Sequence, residues 1–207
     1  MSLDIQHLEK SYGNYAILKN ISFCVPSGES VALMGSSGSG KSTLAKAICG
    51  ILPHHLKAQY SKLATNGRAG YVFQDCISCF FPYLKIKDTF QMVLKDKIAH
   101  IQPIFERLHI PPKVWELYPY ELSRGMASRI QIALNLALEA QILVLDEVTS
   151  SLDSANTKSV LELLLQLETQ RLVITHDEEV AYALCEEVLV LESGRITYFG
   201  DKMGYFS

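Results

Sequence analysis

At 207 residues the chain is long enough to bury one substantial core and too short for two ordinary domains joined by a linker. Its 48% hydrophobic and 20% charged residues exclude a disordered or fibrous protein, and a net charge of −3, with 19 basic residues against 22 acidic, argues against holding nucleic acid through its phosphates. No run reaches the roughly 18 to 20 apolar residues of a membrane span, the richest, 160–167, being interrupted by Glu162 and Gln166.

In chain order, Met1-Ser2-Leu3-Asp4-Ile5-Gln6 lacks the basic start and apolar run of a signal peptide, so the expectation is a chain that stays in the cytosol. Short apolar, β-branched runs at 21–25, 31–34, 70–73, 142–145, 172–175 and 188–191 predict strands, several of them apolar on both faces as buried strands are. Between them, helical periodicity covers 41–49, 86–98, 123–138, 155–167 and 178–184. The alternation predicts an α/β protein with a mainly parallel central sheet. Residues 188–199 read as a hairpin turned at Ser193-Gly194-Arg195. From about 76 to 135 there is no convincing strand, only helical stretches punctuated by Pro82, Pro103, Pro111, Pro112 and Pro119, which reads as a helical lobe inserted into the core.

Five cysteines at irregular spacing suit a reducing compartment better than a disulfide framework. Cys76 and Cys79 form a lone C-x-x-C with no second pair or nearby histidine, and read as ordinary part-buried thiols rather than a zinc or redox site.

The chemistry concentrates in a few places. Gly35-Ser36-Ser37-Gly38-Ser39-Gly40-Lys41-Ser42-Thr43 follows a strand and opens a helix, matching G-x-x-x-x-G-K-[ST] in full. Its glycines let backbone N–H groups surround a phosphate, the helix N-terminus adds favourable partial charge, Lys41 reaches the β- and γ-phosphates, and the Ser42 hydroxyl is a ligand for Mg2+. Such a site needs a carboxylate at the end of a buried strand, and Ile142-Leu143-Val144-Leu145-Asp146 supplies it, with Glu147 next in line as general base. His176 follows the strand at 172–175, where an imidazole can meet a γ-phosphate or fix the attacking water. Gln74 ends the strand at 70–73, its amide in reach of the Mg2+ shell or otherwise a plain loop amide.

Taken together, these residues resemble the ATP-binding subunits of ABC transporters, in the family's order over nearly the whole chain. Tyr12 looks like the aromatic that stacks on adenine, 35–43 like the Walker A loop, and Gln74 like the Q-loop glutamine. Leu122-Ser123-Arg124-Gly125-Met126 is similar to the signature motif, 142–147 to Walker B, Ser151-Leu152-Asp153 to the D-loop, and His176 to the switch histidine. The resemblance implies a P-loop NTPase core with an N-terminal antiparallel β portion (1–75 and 136–207) and a helical subdomain (76–135), using ATP and Mg2+. Its nucleotide contacts would be Tyr12, Gly35, Ser36, Gly38, Ser39, Gly40, Lys41, Ser42, Thr43, Gln74, Ser123, Gly125 and Asp153, its metal ligands Ser42, Gln74 and Asp146, and its catalytic groups Lys41, Glu147 and His176. It further implies two ATPase subunits that sandwich ATP, two integral membrane permease subunits, indirect contact with an extracytoplasmic solute-binding protein, no nucleic acid, and a peripheral place on the cytoplasmic face of the membrane. Ser123 can also cap its helix, a role independent of any motor.

Three positions depart from the pattern. Arg124 replaces a glycine of the usual L-S-G-G-Q, Ser128 stands where a glutamine is usual, and Val148 replaces the common proline after the catalytic glutamate. A side chain at 124 obstructs close backbone approach to phosphate, so the composite site using this signature is expected to be the weaker one, and the partner a different chain. An arginine can also add an anion contact, which would reverse the sign. Gly125-Met126, and Phe73-Gln74-Asp75 followed by Phe81-Pro82, resemble the oligopeptide, nickel and metal-chelate importer branch. Phe80, Phe81 and Tyr83 read equally as a groove for a membrane subunit's coupling helix or as the helical lobe's core. The rival reading is a soluble ABC ATPase acting on ribosomes or DNA.

Overall fold

The computed structural model describes residues 3–53, 58–65, 67–150, 152 and 154–207. They form two compact units: Met1–Tyr71 with Gln141–Glu147 and Glu168–Ser207, and Val72–Ala140 with Val148–Leu167.

The first unit is built on β1 (Leu3–Tyr12), β2 (Tyr15–Val25), β3 (Val31–Met34), α1 (Lys41–Ile48), β4 (Lys62–Ala64), β5 (Ala69–Val72), whose last residue opens the second unit, β6 (Ile142–Asp146), β7 (Gln170–Ile174), α6 (Glu178–Leu184), β8 (Glu187–Glu192), β9 (Arg195–Asp201) and α7 (Lys202–Phe206). One sheet runs β5-β6-β7-β3-β8-β9, with β3 parallel to β7 and β8, β6 parallel to β7, and β9 returning antiparallel to β8. Every residue of β3 and β7 is buried, which is why their sequences carry no alternation: a parallel strand covered on both faces has no polar side. The smaller sheet, β2-β1-β4, is antiparallel. In β1 the buried positions run Leu3, Ile5 and then Leu8, a slip of phase where His7 adopts φ 52° and the register with β2 shifts. Helix α1 buries Leu44, Ala45, Ala47 and Ile48 in a core shared with Leu33, Val144, Leu172, Ile174 and Leu189. Each leucine, isoleucine or valine among them contributes about 1.5–3 kcal/mol on leaving water.

The second unit is helical, with α2 (Ile86–Leu94), α3 (Ile101–Arg107), α4 (Arg124–Ala137) and α5 (Ser154–Leu165). The helix expected over 86–98 stops short, because Lys95 takes φ 51°, outside the right-handed helical region, and the chain continues as a 3-10 stretch, Lys95–His100. Phe90, Phe105 and Trp115 form the aromatic centre, with Phe105 and Trp115 stacked at 4.6 Å between centroids and Phe90 edge-on to both. Buried Gln131 ties the 73–76 segment to α4: its Oε1 accepts from Phe73 N–H at 2.8 Å and its Nε2 donates to the Cys76 carbonyl at 3.2 Å. The Cys76 thiol donates to the Phe73 carbonyl at 3.0 Å, and burial pushes its pKa up to about 11, as suits a structural thiol. Phe80 is buried in this unit, whereas Phe81 and Tyr83 are 43% and 74% exposed, with ring centroids 6.3 Å apart. Among the described residues no helix is long and apolar enough to cross a membrane.

Candidate functional site

Strand register decides what can converge in the first unit. Leu33 and Asp146 both pair with Ile174, so the carboxyl ends of β3, β6 and β7 lie at one edge of the sheet, the edge where open α/β sheets bind ligands. The loop after β3, the pair Asp146-Glu147 and His176 all emerge there.

The loop is a backbone device. Gly35 sits at φ 135°, and a Cβ on it would lie 2.1 Å from the Leu191 carbonyl oxygen, so no side chain fits. Gly40, at φ 109°, turns the chain into α1, and no side chain caps that helix. The first N–H groups of α1 have no acceptor within the helix and carry its positive partial charge, which leaves them available to an anion. The Lys41 ammonium folds back over the loop, donating to the carbonyls of Gly35 at 2.7 Å and Ser36 at 2.9 Å. Gly38 has open space where a Cβ would stand, Ser36, Gly38 and Ser42 are exposed, and Thr43 is half-buried. Ser39 is buried, and its N–H donates to the Ser36 carbonyl at 3.2 Å.

Asp146 ends β6 half-buried, and its Oδ2 accepts from the Tyr71 hydroxyl at 2.5 Å. Burial first, and donation to Asp146 second, hold the Tyr71 pKa well above its usual range. Hydroxyl and carboxylate oxygens are the hard donors that Mg2+ selects, so Ser42 and Asp146 fit that ion.

Glu147 adopts φ 47°, an uncommon backbone for a glutamate, and its N–H is anchored to the Ile174 carbonyl at 3.0 Å. That turn points its carboxylate toward His176, with Oε1 3.6 Å from Nδ1. At this distance the two groups are neighbours rather than hydrogen-bonded, and the histidine side chain is 70% exposed against 24% for the glutamate. The turn carrying His176 is pinned by Asp177, whose N–H donates to Thr175 Oγ1 at 3.0 Å and whose Oδ1 accepts from the N–H groups of Glu179 and Val180. Tyr12 ends β1, and the Lys10 ammonium lies 4.7 Å from its ring centroid.

In the second unit, Gln74 donates through Nε2 to Ser150 Oγ at 3.4 Å. Ser123 caps α4 by accepting from Met126 N–H at 3.2 Å. Gly125 packs with α5, where a Cβ on it would meet Asn156 Oδ1 at 3.4 Å. Exposed Arg124, at the first turn of α4, lines a cavity of about 310 Å³ with Gln74, Asp75, Cys76, Ile77, Val148 and Leu152. Asp153, with Ser151, lies outside the described residues.

Two residues here escaped the sequence reading. Tyr71 was hidden in an apolar run, and the available signal was chemical: a tyrosine in a buried strand needs a partner for its hydroxyl. Asp177 could be found as a helix N-cap directly after His176.

A family model described as ABC transporter matches residues 18–150. The sulfate/thiosulfate import ATP-binding protein CysA of Halalkalibacterium halodurans is 32% identical over 224 residues, an alignment covering 97% of this chain and 62% of that protein. The chain thus spans about three fifths of the length of the curated relatives it matches. Among solved structures, cbiO1 from Clostridium perfringens, part of the ABC transporter complex cbiONQ, superposes with a TM-score of 0.80 at 26% identity, covering 99% of this chain and 90% of that one. The dimeric ATP-binding cassette MJ0796 bound to ADP and Pi superposes with a TM-score of 0.79, covering 97% and 98%, and at 24% identity shows the fold alone. The fold is that of the ABC ATPases, a P-loop NTPase core with a mixed, mainly parallel sheet, a separate antiparallel sheet and helices.

Proposed function

Because the chain belongs to the ABC transporter family, we propose that it is the ATP-hydrolysing subunit powering an importer, working with ATP and Mg2+ on the cytoplasmic face of a membrane. The observation that carries this reading is the convergence of Lys41, Asp146, Glu147 and His176 on one sheet edge above a phosphate-type loop.

In this reading the loop N–H groups and Lys41 bind the β- and γ-phosphates. Lys41 exchanges its two carbonyl partners for phosphate oxygens, trading neutral acceptors for charged ones. Ser42 and Asp146 hold Mg2+, which when bound supplies charge neutralisation for the phosphates. Glu147 takes the proton of the attacking water as general base, and His176 holds the γ-phosphate end of the site. Tyr12 stacks on adenine. The roles of Gln74, Ser123, Gly125 and Asp153 are proposed on the family resemblance alone.

The proposed partners are a second ATPase that is a different chain, argued from Arg124, and two membrane permease subunits, with a solute-binding protein acting through them. Exposed Phe81 and Tyr83 supply aromatic area for a permease's coupling helix. For the solute, the local motifs at 73–75 and 125–126 point to peptides, nickel or metal chelates, while similarity along the whole chain points to sulfate-type oxyanions, the cargo named for the relatives.

Affinity purification of this chain from detergent-solubilised native membranes tests the reading. Recovery of two multi-span proteins with a second ATPase is expected, and the accompanying solute-binding protein separates the two cargo classes. A purely soluble set of partners, such as ribosomes or DNA-repair proteins, would overturn the importer.

A further inference from the structure

The contact between Tyr71 and Asp146 has no place in the chemistry described above. Tyr71 is 7% exposed on β5, the strand next to β6 in the sheet, and its hydroxyl crosses from one strand to the other to reach Asp146 Oδ2 at 2.5 Å. The phenol is the donor and the carboxylate the acceptor, so one of the two Asp146 oxygens is committed to Tyr71 and the carboxyl group is tethered to the neighbouring strand. A carboxyl group held by one oxygen presents the other in a fixed direction.

We propose that Tyr71 is a positioning residue for the Mg2+ site, holding one carboxylate oxygen of Asp146 so that the second is turned toward the metal. The proposal rests on the reading of Ser42 and Asp146 as the metal-side pair. It explains why a phenol, rather than the aliphatic side chain that would serve a buried strand as well, stands at this position. A merely structural tyrosine would use the nearest carboxylate to satisfy its own hydroxyl, and its removal would lower stability without touching the dependence on Mg2+.

The test uses the full chain and its Tyr71→Phe variant, which keeps the ring and removes the hydroxyl. Binding of a fluorescent ATP analogue is measured in EDTA and across a Mg2+ titration, with thermal melting alongside. The expected result is unchanged affinity in EDTA and a Mg2+ midpoint raised about fivefold, the scale of one net hydrogen bond. A Mg2+ midpoint equal to that of the wild type, with a lowered melting temperature, would overturn the proposal. Should Tyr71→Phe fail to fold, 3-fluorotyrosine installed at 71 keeps the hydrogen bond to Asp146; its fluorine resonance must move when Mg2+ joins the bound nucleotide, and a stationary resonance overturns the idea. If Mg2+ changes nucleotide binding in no way in the wild type, the ATPase reading itself has failed, and the proposal with it.

Discussion

The loop before α1 and the turn before α4 each present a helix N-terminus to solvent, yet they are finished differently. At α1 the helix has no side-chain cap, a lysine folds over the loop, and a glycine at φ 135° lets the Leu191 carbonyl oxygen sit 2.1 Å from where a Cβ would stand. At α4 the N-terminus is closed by its own residue, Ser123 Oγ accepting from Met126 N–H, and the next residue is an arginine rather than a glycine. The first arrangement leaves its N–H groups for a ligand. The second has already satisfied one of them and carries an exposed arginine at its first position. The difference teaches that a helix N-terminus becomes a phosphate site through what is withheld from it, and that these two ends should respond differently to mutation.

The comparison breaks most visibly at Gly35. Gly35→Ala forces a Cβ against the Leu191 carbonyl in a backbone region that alanine avoids, and should lower nucleotide affinity by about a hundredfold while costing roughly 2–4 kcal/mol of stability. Titration of a fluorescent nucleotide and a denaturant melt read the two effects; near-wild-type binding would mean that the loop is not the phosphate site. Arg124→Gly sharpens the other side. It should raise turnover of the assembled pair about threefold by opening the α4 N-terminus, with nucleotide binding to the chain's own loop unchanged. Unchanged or lower turnover would assign Arg124 an anion-binding role instead.

The smallest effect lies away from both ends. Glu116 is held to about 2 by Lys87 first and Lys85 second, at 2.7 and 2.9 Å. A carboxylate depressed on folding stabilises fully above its unfolded value, near 4.5, and that contribution is lost as pH falls toward about 2. Glu116→Gln should therefore lower the melting temperature slightly at pH 6, and the gap should close between pH 4.5 and 2. Because the group is exposed, the whole effect is small. A gap independent of pH would mean that Glu116 acts through packing.

What the sequence makes legible follows the range of the interaction that sets it. The path from β3 through the loop to α1 is local: four buried apolar residues, glycines at fixed spacing, and an amphipathic helix, all within 31–48. Asp146, Glu147 and His176 are legible for the same reason, each following an apolar run directly. Tyr71 is not, because its role depends on β5 lying beside β6, a neighbour 75 residues away along the chain. The alternation of β1 is broken by the slip at His7, and helix 86–98 reads as continuous because nothing in Lys95 announces φ 51°. The separation of Phe80 from Phe81 and Tyr83 is likewise a matter of packing, since all three are aromatics within four positions.

The central claim is that the sheet edge carrying Lys41, Asp146, Glu147 and His176 hydrolyses ATP. Its most direct test is phosphate release by the chain assembled with its partner subunits, wild type against Glu147→Gln, with Mg-ATP binding measured on the same samples. The account predicts retained binding and a fall in turnover of at least about a hundredfold at the site built on this chain's loop, the scale of a lost general base. Equal turnover with equal binding would contradict it.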